Sequence, residues 1–115
     1  MSTVTFTPIS DVYEVAFTAN ASNIAMTNIA TDQQTLFKID NQSGNLCFVA
    51  FSAIANAVAN INHPTPGTGN SSPVIAVRTG DTAYINPGLG TYSGNVYVGA
   101  ISISGTGNIF IQAGV

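Results

Sequence analysis

Covalent catalysis needs a nucleophile and a base, and here the choice is narrow: Cys47 is the only cysteine and His63 the only histidine. A Cys–His pair works because the imidazole takes the thiol proton. Cys47, however, lies in the middle of an apolar run, and His63 directly precedes Pro64 in a Pro/Gly-rich stretch. Cys47 therefore reads as a small buried core residue. The acids Asp11, Glu14, Asp32, Asp40 and Asp81 are scattered. Asp11 and Glu14 are close in sequence, but on a strand that spacing sends them to opposite faces. Asp40 and Asp81 fall at turns, where carboxylates cap backbone N–H groups. No EF-hand spacing is present, so no metal site is expected. Gly67-Thr-Gly69, Gly88-Leu-Gly90 and Gly105-Thr-Gly107 look like phosphate loops, but none opens a helix with Lys-Ser/Thr or a third glycine. They read as turns. No Gly-x-Ser-x-Gly elbow occurs. The expectation is a non-enzyme with no cofactor and no catalytic residues.

Aromatic side chains are the remaining handle. Tyr84, Tyr92 and Tyr97 suit either a sugar platform or a protein contact, since a tyrosine buries its ring and keeps its hydroxyl wet. Tryptophan is absent, which favours the protein contact. With Phe51, these three are the residues expected at a protein–protein interface.

The elements that would position them are strands. β-Branched and aromatic residues fall in short runs between Gly, Asn, Pro and Ser clusters, the pattern of a sandwich or barrel. Candidate strands are Val12–Thr18, Asn23–Ile29, Thr35–Asp40, Leu46–Ser52, Val74–Arg78, Thr82–Asn86, Val96–Ser104 and Ile109–Gln112. Thr79-Gly80-Asp81 and Gly105-Thr-Gly107 read as compact hairpin connections, with Gly80 supplying positive φ. Gly44-Asn-Leu-Cys-Phe-Val-Ala50, Gly94-Asn-Val-Tyr-Val-Gly-Ala100 and Gly107-Asn-Ile-Phe-Ile-Gln-Ala113 repeat one short pattern. It reads as three turn-to-strand transitions in which Gly-Asn tolerates left-handed geometry. Ala53–Asn62 is ambiguous: Ile54, Val58 and Ile61 have helical spacing, yet the segment also reads as a strand with an alanine face. His63–Ser72 is a long Pro/Gly loop. The fold class is all-β: an antiparallel sandwich of seven or eight strands, with a jelly roll as one form of it. Residues 1–115 make one domain.

Composition bounds the partners. Hydrophobic residues are 45 % of the chain, which argues for a packed core. Formal charges are few: two basic and five acidic residues, for a net −3. Ordinary soluble domains have about a quarter of their residues charged. Solubility here falls to Ser, Thr and Asn. Nucleic acid is a poor partner, because phosphate contacts need clustered Lys and Arg. Leu46–Ile61, the most apolar stretch, is broken by Ser52, Asn56 and Asn60, so no membrane span is expected. Met1–Ser10 has neither a basic nor an apolar signal region, so no secretory signal is expected either.

One pattern points to company. In Leu46–Phe51, Leu46, Phe48 and Ala50 oppose Cys47, Val49 and Phe51, so both faces are apolar. Val96, Val98 and Ala100 likewise oppose Tyr97, Ile101 and Ile103. Antiparallel sheets usually keep one face polar. Either a partner subunit supplies the second cover, or the Ala53 segment and the long loop fold over the sheet; the partner is the preferred reading, with a homo-oligomer as its simplest form.

Three stretches carry a family resemblance. Phe37-Lys-Ile-Asp-Asn-Gln-Ser-Gly-Asn-Leu-Cys-Phe-Val-Ala-Phe51, Pro73-Val-Ile-Ala-Val77 with Gly80, and Ile101-Ser-Ile-Ser-Gly-Thr-Gly-Asn-Ile-Phe-Ile-Gln-Ala-Gly114 resemble small virion proteins of tailed bacteriophages. In that family an Asn-x-Gly turn precedes an aromatic-rich strand, and a Gly-Thr-Gly hairpin closes the chain. This sequence departs from the pattern over Ala53–Ser72 and in its Gln-Ala-Gly-Val ending. The resemblance implies a β-sandwich acting as a capsid decoration or cement subunit. It would be made in the host cytoplasm, located in the virion, and in contact with the major capsid protein or other virion subunits. The competing expectation is a tail or fibre module that binds a host-surface glycan or receptor through loops 63–72 and 87–94.

Overall fold

A computed structural model describes residues 6–64 and 74–115. Eight strands run in order: β1 (Tyr13–Phe17), β2 (Ser22–Thr31), β3 (Leu36–Asp40), β4 (Cys47–Ser52), β5 (Ile75–Val77), β6 (Thr82–Ile85), β7 (Tyr92–Ile101) and β8 (Gly107–Gly114). They form two antiparallel sheets, β1-β8-β3-β6 and β2-β7-β4-β5. The pairing is nested: β1 with β8, β2 with β7, β3 with β6 and β4 with β5. Such a chain is one long hairpin, folded at the β4–β5 tip and rolled into a sandwich. This is the jelly-roll arrangement, so the expected all-β sandwich is present in its eight-stranded form. Of the expected loop His63–Ser72, residues 65–72 lie outside the described residues, as does Gly67-Thr-Gly69.

The topology corrects the two expected hairpins. β5 and β6 lie in different sheets, and so do β7 and β8. The turns Thr79–Asp81 and Gly105–Gly107 are therefore corners between sheets stacked roughly 10 Å apart. Gly80 does take positive φ, at 80°. A turn signal shows that the chain reverses, but not which sheet receives the next strand. The Gly-Asn reading also changes. Gly94 has φ 147° within β7, and Gly44 and Gly107 are not at positive φ. Gly107 is needed for room: a Cβ there would lie 2.5 Å from Ser43 Cβ and 2.8 Å from Phe17 Cζ.

Strict alternation builds the core. Val15 and Phe17 of β1, Phe37 and Ile39 of β3, and Ile109, Ile111 and Ala113 of β8 point inward from the first sheet. Met26, Cys47, Val49, Val77, Val96 and Val98 meet them from the second. Both inner faces thus interdigitate as in other sandwiches. On β2 the register slips between Met26 and Ile29, where Asn28 takes φ 55°. This β-bulge lets β2 run past the Ile29 expected as its end.

One buried polar group ties the corners together. Asn41 is fully buried, and its Nδ2 donates to the backbone oxygens of Asn45 and Val77, each at 2.9 Å. Its Oδ1 accepts from Ser43 N (3.1 Å) and Ser43 Oγ (2.6 Å). Its backbone closes the β5–β6 corner, accepting from Gly80 N at 2.7 Å and donating to Asp81 O at 3.0 Å. Asn45 Nδ2 extends the network to Thr106 O in the β7–β8 corner at 2.8 Å. Removing the amide strands several buried groups at once. Asn41→Ala is expected to cost about 3 kcal/mol in denaturant unfolding, and a loss under about 1 kcal/mol would show that the corners hold without it.

Candidate functional site

Chemistry-bearing residues are dispersed. Cys47 is fully buried on β4, and burial raises its thiol pKa from 9.0 to about 12. A thiol in that state supplies no thiolate near neutrality. His63 Nδ1 lies 3.0 Å from its neighbour Pro64 O. Asp32 Oδ1 caps the β2–β3 turn, accepting from Gln34 N at 2.7 Å. Asp40 and Asp81, expected as turn caps, use side-chain partners instead. Asp40 accepts from Gln42 Nε2 (2.8 Å) and Thr82 Oγ1 (2.9 Å), while Asp81 faces Arg78 at 3.7 Å. Among the described residues, no three of His, Cys, Asp and Glu gather as a metal site would require.

The outer faces of the two sheets differ. On the β2-β7-β4-β5 sheet, Phe48 and Ala50 of β4 lie beside Ile101 and Gly99 of β7. This is the second apolar face expected to need a partner subunit. The chain covers it with residues 53–62: Val58 and Ile61 are buried there with Phe48, Ala50 and Ile101. Of the two covers open at the sequence level, the chain's own segment is the one present, and the two-faced strands no longer argue for a partner. The segment is neither helix nor strand. It is a run of turns closed by Ala57 N to Ile54 O (3.2 Å) and Ala59 N to Asn56 O (3.3 Å), with Asn56 at φ 69°. Ile54 consequently points to solvent, 71 % exposed. The cover sits so close that a Cβ on Gly99 would lie 2.5 Å from Val58 O.

The other outer face is left largely uncovered by the described residues. β-Pairing sets two rows across it. Glu14, Phe110, Asp40 and Thr82 lie side by side, and the next row holds Gln112, Lys38 and Tyr84. Phe110 is 39 % exposed, and Val12, just before β1, is 57 % exposed. Val12, Lys38, Asp40, Phe110 and Gln112 line a depression of about 310 Å³. The hydrogen bond from Gln42, then that from Thr82 and the nearby Lys38 charge, hold the Asp40 carboxyl below its usual range despite partial burial. At one end Phe6 lies over Gly114 and tilts against Tyr84, with ring centroids 5.7 Å apart. This face is the candidate site.

Of the aromatics expected at an interface, only Tyr84 belongs to it. Phe51 turns inward onto Phe37, with centroids 5.0 Å apart. Tyr92 packs on the core and donates its hydroxyl to Asn95 O at 2.7 Å. Tyr97 is half-buried in the cluster beneath residues 53–62. The structure does not bring the four together. Sequence reading missed Val12, Lys38, Asp40 and Phe110, although Asn-Ile-Phe-Ile-Gln carries the signal: if Ile109 and Ile111 face in, Phe110 faces out. Compared with known proteins, the chain matches no family model, no curated protein and no solved structure.

Two outcomes follow. Gly99→Val should lift the 53–62 cover, lowering Tm and exposing Phe48 and Ile101 to a hydrophobic dye; an unchanged Tm would show that the close approach does not matter. The Cys47 thiol holds its proton more tightly folded than unfolded. The Cys47 contribution to stability should therefore be flat below pH 9 and fall as pH rises from 9 toward 12, by at most about 1.4 kcal/mol per unit. Cys47→Ala, followed by denaturant midpoints at pH 8 and 10, should lack that component.

Proposed function

We propose that this chain is a non-enzymatic structural subunit of a bacteriophage virion, a decoration or cement protein that stabilises the shell through protein–protein contacts. The observation that carries the reading is the asymmetry of the outer faces. One apolar face is covered by the chain itself, while Val12 and Phe110 stand exposed on the other beside Glu14, Lys38 and Asp40. Exposed apolar side chains rimmed by polar groups are typical of contact surfaces. Burying such area stabilises by about 25 cal/mol per Å² before association costs. Jelly rolls are used by viral capsid proteins and by lectins, and the sequence motifs at Phe37–Phe51 and Ile101–Gly114 resemble those of small phage virion proteins. The inert thiol and scattered acids give little support to an enzymatic reading.

The second reading, a tail or fibre module that binds a glycan, has one observation in its favour. A polar cleft of about 490 Å³ lies between residues 8–13 and the β2 bulge, with Asp11, Thr27 and Asn28 among its walls. Tyr92, which lies in the loop 87–94 expected to meet a glycan, has its hydroxyl already engaged by Asn95 O. Mass spectrometry of purified particles separates the two readings. Hundreds of copies, with loss of heat resistance in particles lacking the protein, are expected of a shell subunit. A handful of copies, with unchanged heat resistance, would move the assignment to the tail.

A further inference from the structure

The face left bare by the described residues has a property beyond being apolar: two of its three charges, Asp40 and Lys38, are placed to match each other, while Glu14 accepts from Asn108 Nδ2 at 2.7 Å. Asp40 stands next to Phe110 in one row, and Lys38 stands next to Gln112 in the next. Consider a two-fold axis lying in the face, running across the strands midway between the rows. It lays each row of one molecule over the other row of its copy. Asp40 then meets Lys38 of the copy and Lys38 meets Asp40, so one operation makes two ion pairs. The same operation carries Phe110 over Gln112, into the 310 Å³ depression that Val12, Lys38 and Asp40 also line. The space suffices for a ring, since a cavity of about 150 Å³ already holds benzene. Thr82 comes over Tyr84, a hydroxyl beside a phenol.

We propose that this face is the two-fold interface of a homodimer, with Phe110 of each copy seated in the other's depression and Lys38 paired with Asp40 across the axis. The proposal rests on reading the face as a contact surface and names its first occupant, a second copy of this chain. A C2 interface must be complementary to itself, and this arrangement satisfies that condition with residues already in place. Lys38 makes no ion pair among the described residues, where Arg78–Asp81 is the one pair found. Its ammonium is thus available to a neighbour. Asp40 is held ionised by its hydrogen bonds from Gln42 and Thr82.

Sedimentation equilibrium on the purified chain tests this directly. The wild type should show a monomer–dimer equilibrium that weakens with added salt. Phe110→Lys, at an exposed position, should leave the thermal melt in place and weaken association about thirtyfold. Lys38→Glu and Asp40→Lys should each be monomeric alone and form a one-to-one heterodimer when mixed. A monomeric wild type, a trimer, a dimer indifferent to Phe110→Lys, or single variants that fail to associate on mixing would each overturn the proposal. A monomer that is nevertheless abundant in particles would sink the dimer and leave the structural role standing. A dimer absent from particles would do the reverse.

Discussion

The buried carboxamide of Asn41 governs how the rest of the sandwich can be arranged. A chain folded in half and rolled must cross between sheets at successive corners, and each crossing leaves backbone groups that neither sheet can pair. Asn41 is the rare side chain with two donors and an acceptor placed to serve them. It reaches the β3–β4 corner through Ser43 and Asn45, the β5 backbone through Val77, and the β5–β6 corner through its own main chain. Buried polar networks are costly when partly satisfied and rigid when complete. This one is complete, since no buried side-chain polar atom among the described residues lacks a partner.

With the corners fixed, the inner faces follow from alternation. That part of the fold was legible in the sequence. Val15 and Phe17, Phe37 and Ile39, and Ile109 and Ile111 fall at period two, and each pair is buried. Topology was not legible, because Thr79–Asp81 and Gly105–Gly107 have the composition of hairpin turns while making corners. Local chemistry sets a reversal; which sheet receives the next strand depends on long-range pairings such as Phe48 with Ile101. The role of residues 53–62 was equally hidden. Their spacing allowed a helix, but Asn56 at φ 69° breaks any regular path. What fixes them is contact with Gly99 on β7, distant in sequence.

The candidate site was half legible. Exposure of Phe110 follows from the burial of its neighbours Ile109 and Ile111. Tyr92 and Tyr97 pack locally, whereas the grouping of Lys38, Asp40 and Phe110 became visible only when strands β3 and β8 were set side by side. The pairing of β8 with both β1 and β3 creates that surface.

The bulge in β2 has a consequence of a different kind. β2 is an edge strand of ten residues, far longer than the edges offered by β5 and β6, and it carries no charged or proline residue to repel another strand. Long uncharged edges are templates for sheet extension from molecule to molecule. Asn28, in its left-handed turn, kinks the strand and leaves only short straight pieces on either side. In a protein with so few ions to keep copies apart, that bulge breaks up the one long straight edge on which a second strand could pair.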